Sequence, residues 1–299
     1  MALLRTNNCY FVGTLVEVKD HKELTYGPEN KEAVAATIVL KCVLGEGDNA
    51  TESVVELRNF TSKLTKDGKI NKNYDKIVNI NDLLGKRVVI AGAQINGERF
   101  WATNTSQLVN SIKFNFNMIR AAKADETEDK AEFEYAGFVY KELYERTDAD
   151  GNVQHYVISI AQANYHENNM QVVDFVVDKN NIAAVKAIQQ YYTQGATVSI
   201  SGVCSNIVTQ TTKTEEAMFG DPIVKVFTKT DKKLILVSGK PVIEGEGEYS
   251  VEAIKTLVDA YTKEGIEIKN KSTNDSNVQT AQAATKSAPS KKSALAGLI

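Results

Sequence analysis

Between Arg58 and Lys76 the chain reads RNFTSKLTKDGKINKNYDK, with six Lys/Arg against two Asp and two aromatic residues, Phe60 and Tyr74. Spaced cations contact phosphates and aromatic faces stack on bases at about 1–3 kcal/mol each, which is the chemistry of single-strand binding. Strand alternation sets the directions: if Val55 and Leu57 point inward, Arg58 and Phe60 point outward. Lys63, Lys66, Lys69 and Lys72 follow on a connection whose Asp67-Gly68 favours a loop over a helix, and Tyr74 is a further candidate for stacking. The alternative is a solvated Lys-rich loop with Phe60 closing a core.

Other candidates lie farther along. Trp101 is the only Trp, and Phe100 and Trp101 must face opposite sides of a strand, so one is core and the other is exposed. Asn96-Gly97 reads as the hairpin turn before that strand. Tyr140 and Tyr156 lie near a first loop and a second strand of the chain's latter half. A long basic excursion at 208–233 carries Lys213, Lys225, Phe227, Lys229, Lys232 and Lys233, and suits wrapping around a strand or packing on a neighbour. Catalytic chemistry finds little support. His21, His155 and His166 form no metal-spaced pair, no P-loop, dinucleotide fingerprint or nucleophile elbow occurs, and Asp174 with Asp178 reads as a solvated edge. The expectation is a binding protein with no catalytic residue, metal or cofactor.

The elements that would position these residues recur. β-branched runs at 8–18, 33–44 and 52–60 precede a short turn or helix at 80–84 and a strand at 87–95. Runs at 134–146, 153–162 and 170–178 then precede a helix at 180–195, with Ile182, Val185, Ile188 and Tyr192 on one face, and a strand at 196–208. YFVG at 10–13 matches EYAG at 134–137, and LLGKRVVIAG matches YTQGATVSISG, so the chain is an internal repeat. Three strands, a helix and two more strands make the order of the five-stranded Greek-key OB barrel.

With its Gly-containing first strands, a helix before a G-x-x-V-x-I-x-G fourth strand and a polar tail, the sequence resembles single-stranded DNA-binding proteins of the OB type. Tandem-barrel versions from phages are the nearest in pattern. The resemblance implies an all-β fold with minor helices: an OB domain at 1–120, an acidic linker at 121–133, a second OB domain at 134–246, an amphipathic helix at 247–268 and a disordered tail at 269–299 with an apolar tip. It implies single-stranded DNA as partner, in replication or recombination, and partner proteins on the tail. RNA is the other nucleic acid to test, and a structural or adaptor role is the competing class.

The 299 residues suffice for two compact domains, and 42% hydrophobic with 24% charged residues describes a globular chain. A net charge of -3 means that any affinity for a polyanion must come from cations gathered on one face. Cys9, Cys42 and Cys204 are odd in number and far apart, as expected of small core residues in a reducing compartment. No long apolar segment suggests a membrane span or a secretory leader, so the expected location is cytosolic, in the host cytoplasm if the protein is phage-encoded.

Overall fold

The computed structural model describes residues 3–45, 47, 50–215 and 223–285, with side chains described at all of these except 208–215, 223–230 and 273–285. Within them, β1 (Asn7–Tyr26), β2 (Lys31–Leu44), β3 (Thr51–Ser62), β4 (Arg87–Ala102) and β5 (Gln107–Asn115) pair in the order β1-β2-β3-β5-β4. β4 returns to β1, so the first five strands close into a ring, to which the short β6 (Arg120–Ala121) adds at β4. β7 (Lys130–Thr147), β8 (Val153–Ala163), β9 (Met170–Val177), β10 (Thr197–Glu215) and β11 (Ile223–Gly239) repeat the order and close through β10 and β7. α1 (Tyr74–Val78) and α2 (Ile182–Tyr191) each fall between the third and fourth strands of a ring, giving the OB order twice.

Period-two patterning explains the strands. In β3, Ser53, Val55, Leu57, Asn59 and Thr61 are buried whereas Arg58 and Phe60 are exposed, as the alternation requires. Each ring is plugged by its helix. Tyr74 and Ile77, followed by Ile80, enter the first ring, and Val185, Ile188 and Tyr192 enter the second. Asn181 caps α2 by accepting a hydrogen bond from the Ala184 amide at 3.1 Å. Ile182, expected on the buried face, is the first residue of α2 and is exposed. All three cysteines are buried and unpaired, and burial pushes the Cys42 thiol up to about 12.

The rings are joined along their first strands, with β1 and β7 paired antiparallel from Asn7 opposite Tyr135 to Val12 opposite Lys130. Gly13 and Gly137 are equivalent in the repeat, since a Cβ at either would collide with a carbonyl of the following strand, Lys41 or Ala161. Four positions before each stand Cys9 and Phe133, and these two lie opposite one another. Equivalent residues facing each other across an antiparallel pair are the mark of a two-fold axis, so the repeat folds as an internal isologous dimer.

Two sequence expectations change here. The acidic segment 121–133 is not a free linker. Its end is the start of β7, Glu126 binds Arg120 at 2.5–2.7 Å, and Asp129 pairs with Arg87 and accepts from the Val43 amide at 2.7 Å. Asn96-Gly97 is not a turn either, since β4 runs through it to Ala102 and the chain reverses at 103–106. Gly97 is small for another reason: a Cβ there would stand 3.0 Å from the Val172 carbonyl oxygen of the second ring.

α3 (Val251–Thr285) continues past the boundary expected at 268. Leu257 and Tyr261 of α3, with Tyr249 before it, pack on Phe138, Ala161, Ala163, Met170 and Val172, an apolar patch on the outer face of the second ring. Burying Leu257 alone is worth roughly 1.5–3 kcal/mol. By strand register the same places in the first ring hold Thr14, Lys41, Val43, Glu52 and Val54, with Lys41 and Glu52 ion-paired, so a helix has nothing to dock on there. The tail from residue 286 lies outside the described residues.

Gly137→Ala is expected to lower the urea midpoint by the equivalent of about 1–3 kcal/mol through overpacking against Ala161. Gly27→Ala, at a turn with φ +70° and open space around it, should cost about 1 kcal/mol from backbone strain alone. Equal losses at the two positions would refute the close-approach reading of Gly137.

Candidate nucleic-acid interface

Phe60 stands on the outer row of β3, two residues from Arg58, and is 50% exposed. Its ring meets Tyr26 edge-on at 5.1 Å, and the Tyr26 hydroxyl shares a 2.6 Å hydrogen bond with Ser62 Oγ. Phe60 is therefore braced from one side and open on the other, the arrangement a stacking base requires.

The lysines beyond it are less free than their number suggests. Lys63 pairs with Glu32 of β2, whose hydrogen bond and charge raise the Lys63 ammonium above its usual range, and Lys69 pairs with Asp67 at 3.2 Å. Lys66 and Lys72 are exposed and form no ion pair among the described residues. The loop is ordered by its own bonds: Thr65 donates to Asp67 and to the Lys69 carbonyl, and Gly68 takes φ +77°.

Tyr74 requires a correction. It is buried in the first core and its hydroxyl donates to Glu23 at 2.9 Å, so it cannot stack on a ligand. As the first residue of α1, it faces the ring that the helix plugs. Trp101 is half-buried with the Lys269 ammonium 5.3 Å from its ring, while Phe100 is exposed. Neither belongs to the core, because the β4–β5 hairpin extends beyond the ring. Tyr140 meets Tyr261 of α3 edge-on at 5.9 Å, and Tyr156 packs against the core. Lys213, Lys225, Phe227 and Lys229 sit on the paired β10–β11 ribbon, with Lys213 opposite Lys225, but their side chains lie outside the described residues.

A second feature emerges only from the packing of the rings. Between them opens a cleft of about 540 Å³ lined by Arg58 of β3, Lys113 of β5, Arg146 of β7, His155 of β8, and Lys232 and Lys233 of β11. Its carboxylates are Glu56, Asp174 and Asp231. Register makes Lys113 and Lys233 equivalent, and likewise Glu56 and Asp174, so the cleft straddles the internal two-fold. Arg58 reaches Glu56 at 3.8 Å, Lys233 reaches Asp231 at 2.8 Å, and Asp174 accepts from Ser159 at 2.6 Å. Lys113 pairs with Glu98, yet burial and the nearby charges of Arg58 and Lys232 hold its ammonium below the usual range. Cations that destabilise one another across a concave site leave a field that an anion would relieve.

Of the sequence-predicted candidates, Arg58 and, from the basic excursion, Lys232 and Lys233 line this cleft. Lys113 and Arg146 are single cations on strands, and only the juxtaposition of the rings makes them a set.

The sequence profile of the YorF family matches residues 5–274. The chain belongs to the YorF family. No curated protein sequence matches it. Among solved structures, this YorF-family fold is similar to the single-stranded DNA binding protein from Thermus aquaticus. A deletion mutant of that protein gives a TM-score of 0.51 at 8% identity, covering 81% of this chain and 96% of that one. The wild-type form gives 0.50 at 8% identity, covering 83% and 98%. At such identity the likeness speaks of fold.

His155 supplies a test of the cleft's electrostatics. Burial, then the charge of Lys233, hold its imidazole below the usual 6.5, with Arg146 adding to the effect and Asp231 opposing it. The folded state thus takes up this proton less readily than the unfolded chain. Its contribution is complete above pH 6.5 and is lost as pH falls from there through the folded value. Urea midpoints followed over roughly pH 5–8 should fall on the acid side for the wild type and fall less for His155→Gln. Parallel curves would exclude His155 as the titrating group.

Proposed function

We propose that the protein binds single-stranded DNA with little sequence preference, the strand's phosphates crossing the basic cleft and its bases stacking on Phe60. The observation that carries this reading is the convergence of Arg58, Lys113, Lys232 and Lys233, drawn from both rings, on one open cleft. Arg58 also shares its outward row with the half-exposed Phe60. Phosphate contact and stacking without base-edge readout is how sequence-tolerant single-strand binding works. The OB order, and a fold similar to that of a single-stranded DNA binding protein, favour the same ligand. The sequence resemblance to tandem-barrel phage proteins extends this reading to a role in phage-type replication or recombination, coating template in the cytosol, with the tail contacting other proteins.

The competing adaptor role has one observation in its favour: an apolar groove of about 540 Å³ between α2 and β11, with Tyr191 and Val237 exposed on it. A titration with oligo-dT at low salt, read by Trp101 and tyrosine emission or by anisotropy of labelled DNA, separates the two. Binding is expected with a strong salt dependence, and an oligoribonucleotide competitor tests RNA. Arg58→Ala, Lys113→Ala and Lys233→Ala combined should reduce the slope of log affinity against log salt by about 2, near 0.7 for each phosphate left without its cation. Phe60→Ala should cost about 1–3 kcal/mol of binding while leaving the slope unchanged. Failure of the wild-type protein to bind the oligonucleotide at low salt would remove the reading.

A further inference from the structure

A larger cavity, of about 840 Å³, opens farther along the junction of the two rings. The β4 segment from Gln94 to Arg99 forms one wall, the turn between β8 and β9 another, and α3 roofs it with Tyr261 and Glu264. Its chemistry differs from that of the basic cleft. The floor amides are committed to holding the rings together. Asn7 exchanges two 2.8 Å hydrogen bonds with the backbone of Ile95, and Gln171 accepts from the Gly97 amide at 3.1 Å and donates to the Ile95 carbonyl at 3.1 Å. Gln94 and Asn96 also line the cavity, and their side chains have no hydrogen-bond partner among the described residues.

At the mouth stands Tyr165, 83% exposed. It is held in place although it packs on no core: the Arg5 guanidinium lies 5.7 Å from its ring centre and donates to the Asn164 and Tyr165 carbonyls at 3.1 and 2.9 Å. Arg5 and Arg99 are balanced locally by Glu167 and Glu264, at 3.6 and 3.7 Å, so the cavity has little to offer a phosphate. Uncommitted amides that both donate and accept, beside an open aromatic face, suit the edges and faces of nucleobases.

The cavity and the basic cleft are contiguous. On β9, Met170 and Gln171 line the cavity, and Val172 and Asp174 line the cleft. The Glu98–Lys113 pair joins the two as well, Glu98 lining the first and Lys113 the second.

We propose that the amide-lined cavity is a second, base-contacting site that receives unstacked nucleobases of the strand whose phosphates cross the basic cleft. The proposal rests on the single-stranded DNA reading, and its test separates the two. Affinity of the full chain is measured by anisotropy for a labelled oligo-dT of about 35 nucleotides, long enough for two OB rings at the upper site size of about 16 each. The same length carrying abasic positions over one half is measured beside it. Tyr165→Ala and the Gln94→Ala/Asn96→Ala pair should each weaken binding of the intact oligonucleotide about 5-fold or more, with an unchanged salt slope, and should lose less on the half-abasic one. A photoreactive thymine analogue in the strand should crosslink to Tyr165, read by mass spectrometry of the wild-type protein. Unchanged affinity in both variants, together with no crosslink at Tyr165, overturns the second site. In that case a weakened Arg58→Ala/Lys113→Ala/Lys233→Ala variant would leave the cleft standing. If the wild type binds no oligonucleotide, both fall together. Because Tyr165, Gln94 and Asn96 hold no core, unaltered melting of the variants is expected.

Discussion

The antiparallel seam between β1 and β7 is the contact from which the architecture follows. A ring of five strands has used most of its backbone donors and acceptors on itself, yet the first half of β1 has one edge that the ring leaves unpaired, and so does the first part of β7. Exposed edges invite pairing with another chain. Here each satisfies the other within one polypeptide, from Asn7 to Val12. Once that register is set with Cys9 opposite Phe133, the rings have no freedom to slide, because a shift of one residue would turn the Phe133 and Tyr135 side chains out of the core they share.

The seam also dictates what lies to either side of it. It brings β10 of the second ring against β3 of the first, where Ser53 Oγ donates to the Cys204 carbonyl and accepts from the Asn206 amide, both at 3.0 Å. Reciprocally, it brings β4 against β9 at Gly97. The fourth strand of each ring thus lies against the third strand of the other. The basic cleft belongs to neither domain alone: Lys113 feels Arg58 of its own ring and, because two surfaces of moderate charge have been folded face to face, Lys232 of the other. An overall charge of -3 is compatible with such a site, since the acids are concentrated elsewhere, in the 121–134 segment above all.

Much of this architecture was legible in local pattern. Strand order, the duplication, the position of α2 and the outward direction of Arg58 and Phe60 follow from alternation and glycine placement, which act over a few residues. The first plugging helix, expected at 80–84, instead begins earlier, at Tyr74. What escaped depends on distant partners. Glu32 lies far from Lys63 in sequence but beside it across β2 and β3, so a run of lysines overstated the free charge. Tyr74 begins a helix that must fill a ring, and its aromatic character served the core. Asn-Gly at 96–97 carried a turn's composition, yet the glycine answers to the backbone of Val172. Lys113 and Arg146 had no neighbours in sequence to announce them.

The internal two-fold has one more consequence. A polynucleotide has a direction, 5′ to 3′, whereas two rings related by a two-fold face opposite ways along any line crossing the axis. A strand bound as proposed would therefore meet one copy heads-first and the other tails-first, so one set of contacts would not serve it twice. Duplicated grooves under that restriction have no reason to stay alike. Arg58 against Val176 in the register, and an apolar patch roofed by α3 on one ring against an open ion-paired surface on the other, are the differences such a restriction permits.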